Sequence, residues 1–285
     1  MNPYPSSSWR LLADGPGEGA WNMAADEAIL GSVAECASLP TLRFYAWTPP
    51  CLSLGRSQSK MEVDVEACRT AGIDCVRRPT GGRAILHRDE LTYSICLPLH
   101  DPRASGDILE SYRRISEGLA EGLRSLGLAV ESARPGSKRS SSAACFDAPA
   151  GHEITIGGRK LVGSAQFRAR GALLQHGSLP LFGDVAGIVD LLTLADSERN
   201  ALRARLRATA ITLEQAAQRR VSYEDTKAAL CRGIAHALNL QFSKGKLSPV
   251  ELRAAQLLHR DKYASLDWPR MRRPGQAGEG AGIGE

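Results

Sequence analysis

Cys145 is the side chain whose sequence surroundings most favour reactivity. It ends a basic, small-residue segment, ARPGSKRSSSAAC, that contains no carboxylate. A neighbouring cation raises the fraction of thiolate, which is the nucleophilic form of cysteine. From the residues alone, a small buried apolar side chain is an equally open interpretation of Cys145. The other six cysteines lie in periodic or apolar contexts that favour burial.

The segment RRPTGGRAILH at 77–87 combines a glycine turn with positive charge. Gly81 and Gly82 stand between two strand-like runs and permit a sharp turn or close backbone approach to a ligand. Guanidinium groups around such a turn bind phosphates or carboxylates. The arginines concerned are Arg77, Arg78, Arg83 and Arg88. A plain glycine turn with a solvated basic rim remains an equally open interpretation.

Lys160 follows a pair of glycines, Gly157 and Gly158, between two β-type runs. This pattern predicts a two-residue hairpin turn, with Lys160 near the start of the second strand. Lys160 is either a solvated strand residue or a cation that faces a site. His152 and His176 are candidate bases, although the sequence cannot show whether either lies near Cys145.

The predicted elements that must position these residues are strands first and helices later. Short connections between the strands predict an α+β fold with a mixed, mainly antiparallel sheet flanked by helices and a helical C-terminal end. The first helical pattern, WNMAADEAIL, places Trp21, Ala25 and Ile29 on one face, with Asp26 and Glu27 pointing away. Capping boxes predict further helices that begin after Asp107 and Ser248.

Composition and missing motifs exclude several classes of protein. Hydrophobic residues make up 43% and charged residues 24% of the 285, as in ordinary globular domains. No apolar run approaches the roughly 18 residues that span a bilayer, and the N-terminus lacks a secretory pattern. Scattered cysteines without a CxxC pair suit a reducing cytoplasm. Neither a dinucleotide-binding glycine motif nor a P-loop is present.

Seven segments together resemble the biotin/lipoate protein ligase catalytic-domain family, and more closely its LipM-type octanoyltransferase branch. They occur in the family's order and cover most of residues 20 to 180. The segments are NMAADEAIL (22–30), LRFYAWTPPCLSLGRSQ (42–58), RRPTGGRAILH (77–87), ELTYSI (90–95), CFDAP (145–149), GRKLVGSAQ (158–166) and LLQHGSL (173–179).

The resemblance implies a class II synthetase-like, biotinyl protein ligase-like fold. We expect a catalytic domain at 20–220, a helical extension of it at 221–270 and a disordered tail at 271–285. The implied reaction moves octanoyl from an octanoyl-acyl carrier protein to Cys145. The group then passes to one lysine of a lipoyl-bearing protein, typically the glycine cleavage H protein. In this family the matching lysine, Lys160, lowers the pKa of the cysteine.

The same resemblance places the glycine turn along the acyl chain, with the amides of 163–165 as oxyanion donors. Exchange between thioesters is nearly isoenergetic, so we expect neither ATP nor another cofactor, and no metal. We also expect no nucleic-acid or membrane partner. The expected substrate-binding residues are Arg78, Thr80, Gly81, Gly82, Arg83, His87, Gly163, Ser164 and Ala165.

Three alternatives remain open at this point. An ATP-dependent lipoate–protein ligase would share the glycine pair and the lysine but would need no nucleophilic Cys145. An octanoyl amidotransferase between two lipoyl proteins would use the same nucleophile with another donor. A non-catalytic carrier-binding module would need no reactive thiol. Two departures from the family pattern, Arg88 and the pair Gly151-His152, bear on acyl or acceptor preference.

Overall fold

The computed structural model describes residues 2–132, 144 and 153–265. Cys145, His152, the basic segment before them and the predicted tail lie outside these residues. The strands are β1 (Ser7–Gly17), β2 (Thr41–Trp47), β3 (Cys51–Leu54), β4 (Asp74–Arg77), β5 (Ile85–His87), β6 (Glu90–Pro98), β7 (Glu131–Ser132), β8 (Ile154–Ile156), β9 (Arg159–Ala169), β10 (Ala172–Pro180) and β11 (Leu240–Lys244). The helices are α1 (Gly19–Ala34), α2 (Val65–Thr70), α3 (Ile108–Arg124), α4 (Asp196–Thr209), α5 (Leu213–Ala217), α6 (Tyr223–Leu238) and α7 (Pro249–Leu258), followed by a π-helical turn at His259–Tyr263.

Two sheets organise the described part of the chain. The large sheet has the strand order β11-β1-β2-β6-β10-β9-β8-β7, and the small sheet has the order β4-β3-β5. In the large sheet β1 runs parallel to both of its neighbours, whereas the other adjacent pairs are antiparallel. This arrangement confirms the predicted α+β class with a mixed, mainly antiparallel sheet.

Helices cover both faces of the large sheet. On one face α3 and α6 contribute Ile115, Leu119 and Ile234 to the main core. On the other face Ile29 and Val33 of α1 pack against the sheet, and α7 packs against α1. The described helices include none that is both long and apolar enough to cross a bilayer.

Local sequence signals place several elements correctly. The Gly157-Gly158 turn joins β8 to β9, and both glycines have positive φ, of 54° and 73°. The Asp107 and Ser248 capping boxes are present at the starts of α3 and α7. The C-terminal third also contains a strand, β11, that the sequence analysis did not predict. It pairs in parallel with β1.

Asp26 was predicted to point away from the core, and this prediction is wrong. Its side chain is fully buried because it faces the large sheet, where Tyr45 and Ser94 donate hydrogen bonds to it, while α7 packs elsewhere on α1. A helix enclosed on two sides has little exposed face. Asp26 is accommodated there because Arg43 of β2 forms an ion pair with it, with an Nη1–Oδ1 distance of 2.8 Å.

Close contact between α3 and α6 depends on glycine. A Cβ at Gly122 would lie 2.6 Å from the carbonyl oxygen of Ala229, and a Cβ at Gly233 would overlap the backbone of Gly122. Both obstacles are backbone atoms, which cannot move aside as a flexible side chain can. The helices therefore cross at the distance that these two glycines set.

Gly233→Ala should destabilise the protein by about 1–3 kcal/mol through overpacking at this crossing. The midpoint of urea unfolding measures the change. Gly31→Ala is the matched control, because a Cβ at Gly31 of α1 meets nothing within 4 Å. Equal midpoints for the two variants would contradict the prediction.

Candidate functional site

A cavity that is partly open to solvent lies between the large and small sheets. Its walls come from α1, from strands of both sheets and from the turn that follows β4. Met23 and Tyr45 are almost fully buried, whereas Gly82 is exposed and Ser164 is half-buried. The floor of this central cavity therefore lies at Met23 and Tyr45, and its mouth lies at Gly82 and Ser164. The lining residues are Met23, Tyr45, Trp47, Ser53, Arg78, Gly82, Ile85, His87, Thr92, Gly163, Ser164, Ala165, His176, Gly177 and Ser178.

Most of the expected substrate-binding residues meet at this cavity. The members that line it are Arg78, Gly82, His87, Gly163, Ser164 and Ala165. Thr80 is fully buried, and Gly81 is exposed beside the cavity mouth. Arg83 forms an ion pair with Glu62, with an Nη1–Oε2 distance of 3.2 Å.

The turn at 80–83 is held by Arg78. One guanidinium nitrogen, Nη2, donates to the carbonyl oxygens of Gly81 at 2.9 Å and Arg83 at 2.7 Å. Gly82 has φ of +95°, a backbone conformation that favours glycine. A Cβ at Gly55 would overlap the carbonyl group of Gly82, so the turn also requires glycine at position 55. The glycine pair thus allows the compact turn that the sequence indicated.

A first hydrogen-bond network surrounds His87. Its Nε2 lies 2.7 Å from Ser53 Oγ, and its Nδ1 lies 3.2 Å from Glu90 Oε2. The ring stacks on Trp47 with centroids 3.9 Å apart. The indole nitrogen of Trp47 donates to Thr92 Oγ1 at 2.8 Å. These contacts fix the imidazole as one wall of the cavity.

A second network surrounds Asp26. Its carboxylate accepts hydrogen bonds from Tyr45 at 2.9 Å and Ser94 at 2.7 Å, besides the ion pair with Arg43. His176 Nδ1 lies 3.4 Å from Asp26 Oδ2. Burial alone would raise the pKa of Asp26, but the His176 hydrogen bond and the charge of Arg43 hold that pKa below its ordinary value. Asp26 is therefore a carboxylate at neutral pH.

Both networks satisfy polar atoms that would otherwise face the cavity. A buried donor or acceptor without a partner costs free energy, whereas one that is already paired does not demand a polar ligand. The paired hydroxyl and imidazole groups therefore allow the central cavity to accept an apolar chain. Met23, Ile85 and the Trp47 ring add apolar surface to the same walls.

Lys160 lies in β9, on the strand that leads to Gly163 and Ser164. Its side chain is only 1% exposed, and its Nζ lies 2.6 Å from Glu153 Oε1. A buried ammonium group requires such a partner, because desolvation of an isolated charge is costly. Sequence reasoning missed Glu153, which precedes β8 and reaches Lys160 across the hairpin.

The backbone of β9 at the cavity has an open edge. Gly163, Ser164 and Ala165 pair with β10 on one side. On the other side the register with β8 ends at Val162, so no described strand covers residues 163–165. The amide groups of this stretch that point away from β10 are available as hydrogen-bond donors to a ligand.

Cys145 itself lies outside the described residues. Ala144, which precedes it in the sequence, is buried and forms a parallel bridge with Ala84. Ala84 is followed by Ile85, which lines the central cavity. Among the residues that the structure describes, no group of three or more His, Cys, Asp or Glu side chains is arranged to hold a metal ion.

The buried network residues that were not among the predicted site residues include Asp26, Ser53 and Glu90. Each one falls inside a segment that carried the family resemblance, namely 22–30, 42–58 or 90–95. That placement was the available signal, since neither periodicity nor composition distinguishes these side chains from surface residues.

Comparison with known proteins places this geometry among lipoylation enzymes. Residues 18–235 match the lipoyl protein ligase A/B catalytic domain. Octanoyltransferase LipM of Kyrpidia tusciae is 44% identical, over 92% of this chain and 98% of that protein. Octanoyltransferase LipM of Moorella thermoacetica is 45% identical, over 94% of this chain and 100% of that protein.

The fold also matches a solved structure of an archaeal lipoylation system from Thermoplasma acidophilum. That system comprises a bi-partite lipoate protein ligase and its E2 lipoyl domain. The TM-score is 0.78 at 25% identity, covering 94% of this chain and 99% of the other. The lipoate protein ligase fold and the present one are therefore alike over nearly their whole length.

Proposed function

Since this chain belongs to the lipoyl protein ligase A/B catalytic-domain family, we propose that its octanoyltransferase activity uses a covalent thioester on Cys145. The relatives confirm the prediction of an acyltransferase that transfers octanoyl groups in protein lipoylation. The non-catalytic alternative is thereby set aside. The route of the octanoyl group through this chain's own residues is the proposal.

In the first step the Cys145 thiolate attacks the carbonyl carbon of an octanoyl thioester on an acyl carrier protein. The new carbon–sulfur bond forms as the carrier's sulfur leaves as a thiolate, so no ATP is consumed. In the second step the neutral ε-amine of an acceptor lysine attacks the Cys145 thioester. An amide forms, the Cys145 sulfur leaves, and the nitrogen gives up one proton. Lys160 is the proposed stabiliser of the thiolate. In the first step its ammonium group gives a proton to the departing carrier sulfur, and in the second step the neutral amine that results accepts the proton from the acceptor nitrogen.

The observation that carries this proposal is the central cavity with its internally paired polar walls. Each methylene removed from water contributes about 0.8 kcal/mol, so an octanoyl chain gains roughly 5 kcal/mol there. Lys160 and the open edge at 163–165 follow one another on β9, which forms one wall. On the small-sheet side of the cavity, Ala144, the residue before Cys145, bridges Ala84, and the next residue, Ile85, lines the cavity.

The proposed partners are an octanoyl-acyl carrier protein as donor and a lipoyl-bearing protein, such as the glycine cleavage H protein, as acceptor. A lipoyl domain accompanies the ligase in the archaeal structure, which supports this class of acceptor. These partners and thiol chemistry suit a reducing cytoplasm. That location is part of the proposal.

Intact mass spectrometry after mixing with octanoyl-acyl carrier protein, without ATP, tests the thioester. We expect an octanoyl adduct that hydroxylamine removes and that Cys145→Ser lacks. Cys51→Ser is the matched control, since Cys51 is fully buried in the small sheet and burial raises the pKa of its thiol. An adduct that persists in Cys145→Ser would contradict the proposal.

The same mass measurement with other donors distinguishes the two alternative enzyme activities. A lipoate–protein ligase would modify its acceptor from free lipoate or octanoate only when ATP is added. An amidotransferase would form the Cys145 adduct from an octanoylated lipoyl protein but not from the carrier. The similarity to a lipoate protein ligase makes the ATP arm of the experiment necessary.

A further inference from the structure

We propose that Asp26 and His176 are positioning residues for octanoyl transfer, because together they hold Thr80 and thereby the Gly81–Gly82 turn at the mouth of the central cavity. This inference rests on the proposed function, since it concerns the same cavity. It assigns a role to a buried histidine and a buried carboxylate that the thioester chemistry does not use.

His176 connects two parts of the fold that lie far apart in sequence. It belongs to β10 of the large sheet, whereas Thr80 belongs to the turn that follows β4 of the small sheet. The imidazole Nε2 lies 2.7 Å from Thr80 Oγ1 across a separation of 96 residues. Thr80 is fully buried and His176 is 6% exposed, so water competes little for this bond.

The direction of this hydrogen bond follows from Asp26. An ionised carboxylate only accepts hydrogen bonds, so the His176 nitrogen that faces it, Nδ1, carries the proton. The other nitrogen, Nε2, then accepts, and the Thr80 hydroxyl donates. Burial lowers the pKa of His176, which keeps the ring neutral at neutral pH and preserves this arrangement. Asp26 thus selects the tautomer, and His176 orients the threonine.

Two anchors approach the turn from different directions. Arg78, at the end of β4, binds the carbonyl oxygens of Gly81 and Arg83 from the side of the small sheet. His176 binds Thr80 from the side of the large sheet. The second anchor therefore sets the separation between Gly82 and the β9–β10 wall, the two sides between which the thioester carbonyl must fit.

Loss of the Thr80 hydroxyl should change the rate of transfer more than it changes the fold. Thr80→Val keeps the branched shape but releases the turn from His176. A displacement of about 1 Å at a reacting group lowers a rate by about 100-fold. We expect a fall of this order in kcat, with KM for octanoyl-acyl carrier protein changed little because Thr80 is fully buried and cannot itself contact a carrier protein.

The experiment compares Thr80→Val, Thr80→Ser, His176→Gln and the double variant Thr80→Val/His176→Gln. The matched control is Thr226→Val, which removes another fully buried hydroxyl, on α6, that donates to the Ser222 carbonyl oxygen at 2.8 Å. Thr80→Ser should restore kcat because it keeps the donor. The double variant should be no slower than the slower single variant, since both remove one interaction.

Thermal unfolding of each variant separates positioning from simple destabilisation. The inference fails if Thr80→Val has the same kcat as Thr226→Val, if Thr80→Ser does not restore kcat, or if the two single effects multiply in the double variant. Failure of the proposed function looks different, because the wild-type protein would then form no octanoyl adduct at all.

Discussion

Replacement of Lys160 by alanine is expected to lower octanoyl transfer by about 10³-fold, since general-base catalysis and electrostatic stabilisation each contribute factors of this order. Loss of the ammonium group should slow formation of the octanoyl adduct at neutral pH. The pKa of an isolated thiol is about 8.5, so adduct formation by Lys160→Ala should recover as the pH is raised toward 9. Intact mass spectrometry of reactions stopped at successive times, at pH 7 and at pH 9, measures the rate of adduct formation.

Lys160→Arg separates the two roles of the lysine. A guanidinium group keeps its positive charge but does not release a proton in proteins, so it can stabilise a thiolate without serving as a base. This variant should form the octanoyl adduct and then fail to deliver it to the acceptor lysine. Normal adduct formation and delivery by both Lys160→Ala and Lys160→Arg would contradict the proposed roles.

A control is needed because Lys160→Ala removes the ammonium group that pairs with the buried Glu153 carboxylate. The double variant Lys160→Ala/Glu153→Ala removes both charges and should unfold less readily than Lys160→Ala alone. Lys262→Ala provides a second comparison, since Lys262 of the π-helical turn forms a partly exposed ion pair with Glu27 of α1 at 2.6 Å. Its adduct formation should match that of the wild type.

Arg43→Met is expected to destabilise the folded protein by about 3–5 kcal/mol, because it leaves Asp26 as a buried charge without its ion-pair partner. Both side chains are almost completely buried, and the Arg43 guanidinium also donates to Asp14 at 2.6 Å and to Asn22 at 2.9 Å. Urea unfolding midpoints measure the loss. Arg69→Met is the comparison, since the Arg69–Glu66 pair is exposed and should contribute little.

The stability difference between wild type and Arg43→Met should depend on pH. In the folded wild type the pKa of Asp26 is lowered. The stability that Asp26 contributes is therefore complete above its pKa in the unfolded state, near 3.8, and is lost as the pH falls through its pKa in the folded state. In Arg43→Met burial would raise that pKa, and Asp26 would become neutral on acidification. The deficit should therefore be largest at pH 7 and shrink as the pH is lowered toward 4. A deficit that is constant from pH 7 to pH 4 would contradict this assignment.

Local pattern was sufficient to predict much of the framework. The hairpin at Gly157-Gly158, the capping boxes and the Gly81-Gly82 turn follow from conformational preferences that act over a few residues. These signals also placed Lys160 on β9 and Gly82 in a turn that lines the central cavity. Strand β11 escaped prediction because its five residues are mostly exposed and helical patterns flank it on both sides.

The sequence by itself determined the order of most elements, the family and the candidate reactive side chains. These follow from conformational preferences and motifs that depend only on residues close together in the chain. The tertiary structure alone decided the pairing of Asp26 with Arg43 and His176 and of Lys160 with Glu153. A charged side chain enters the interior only where a distant partner compensates its desolvation. The position of such a partner depends on how the sheets and helices pack.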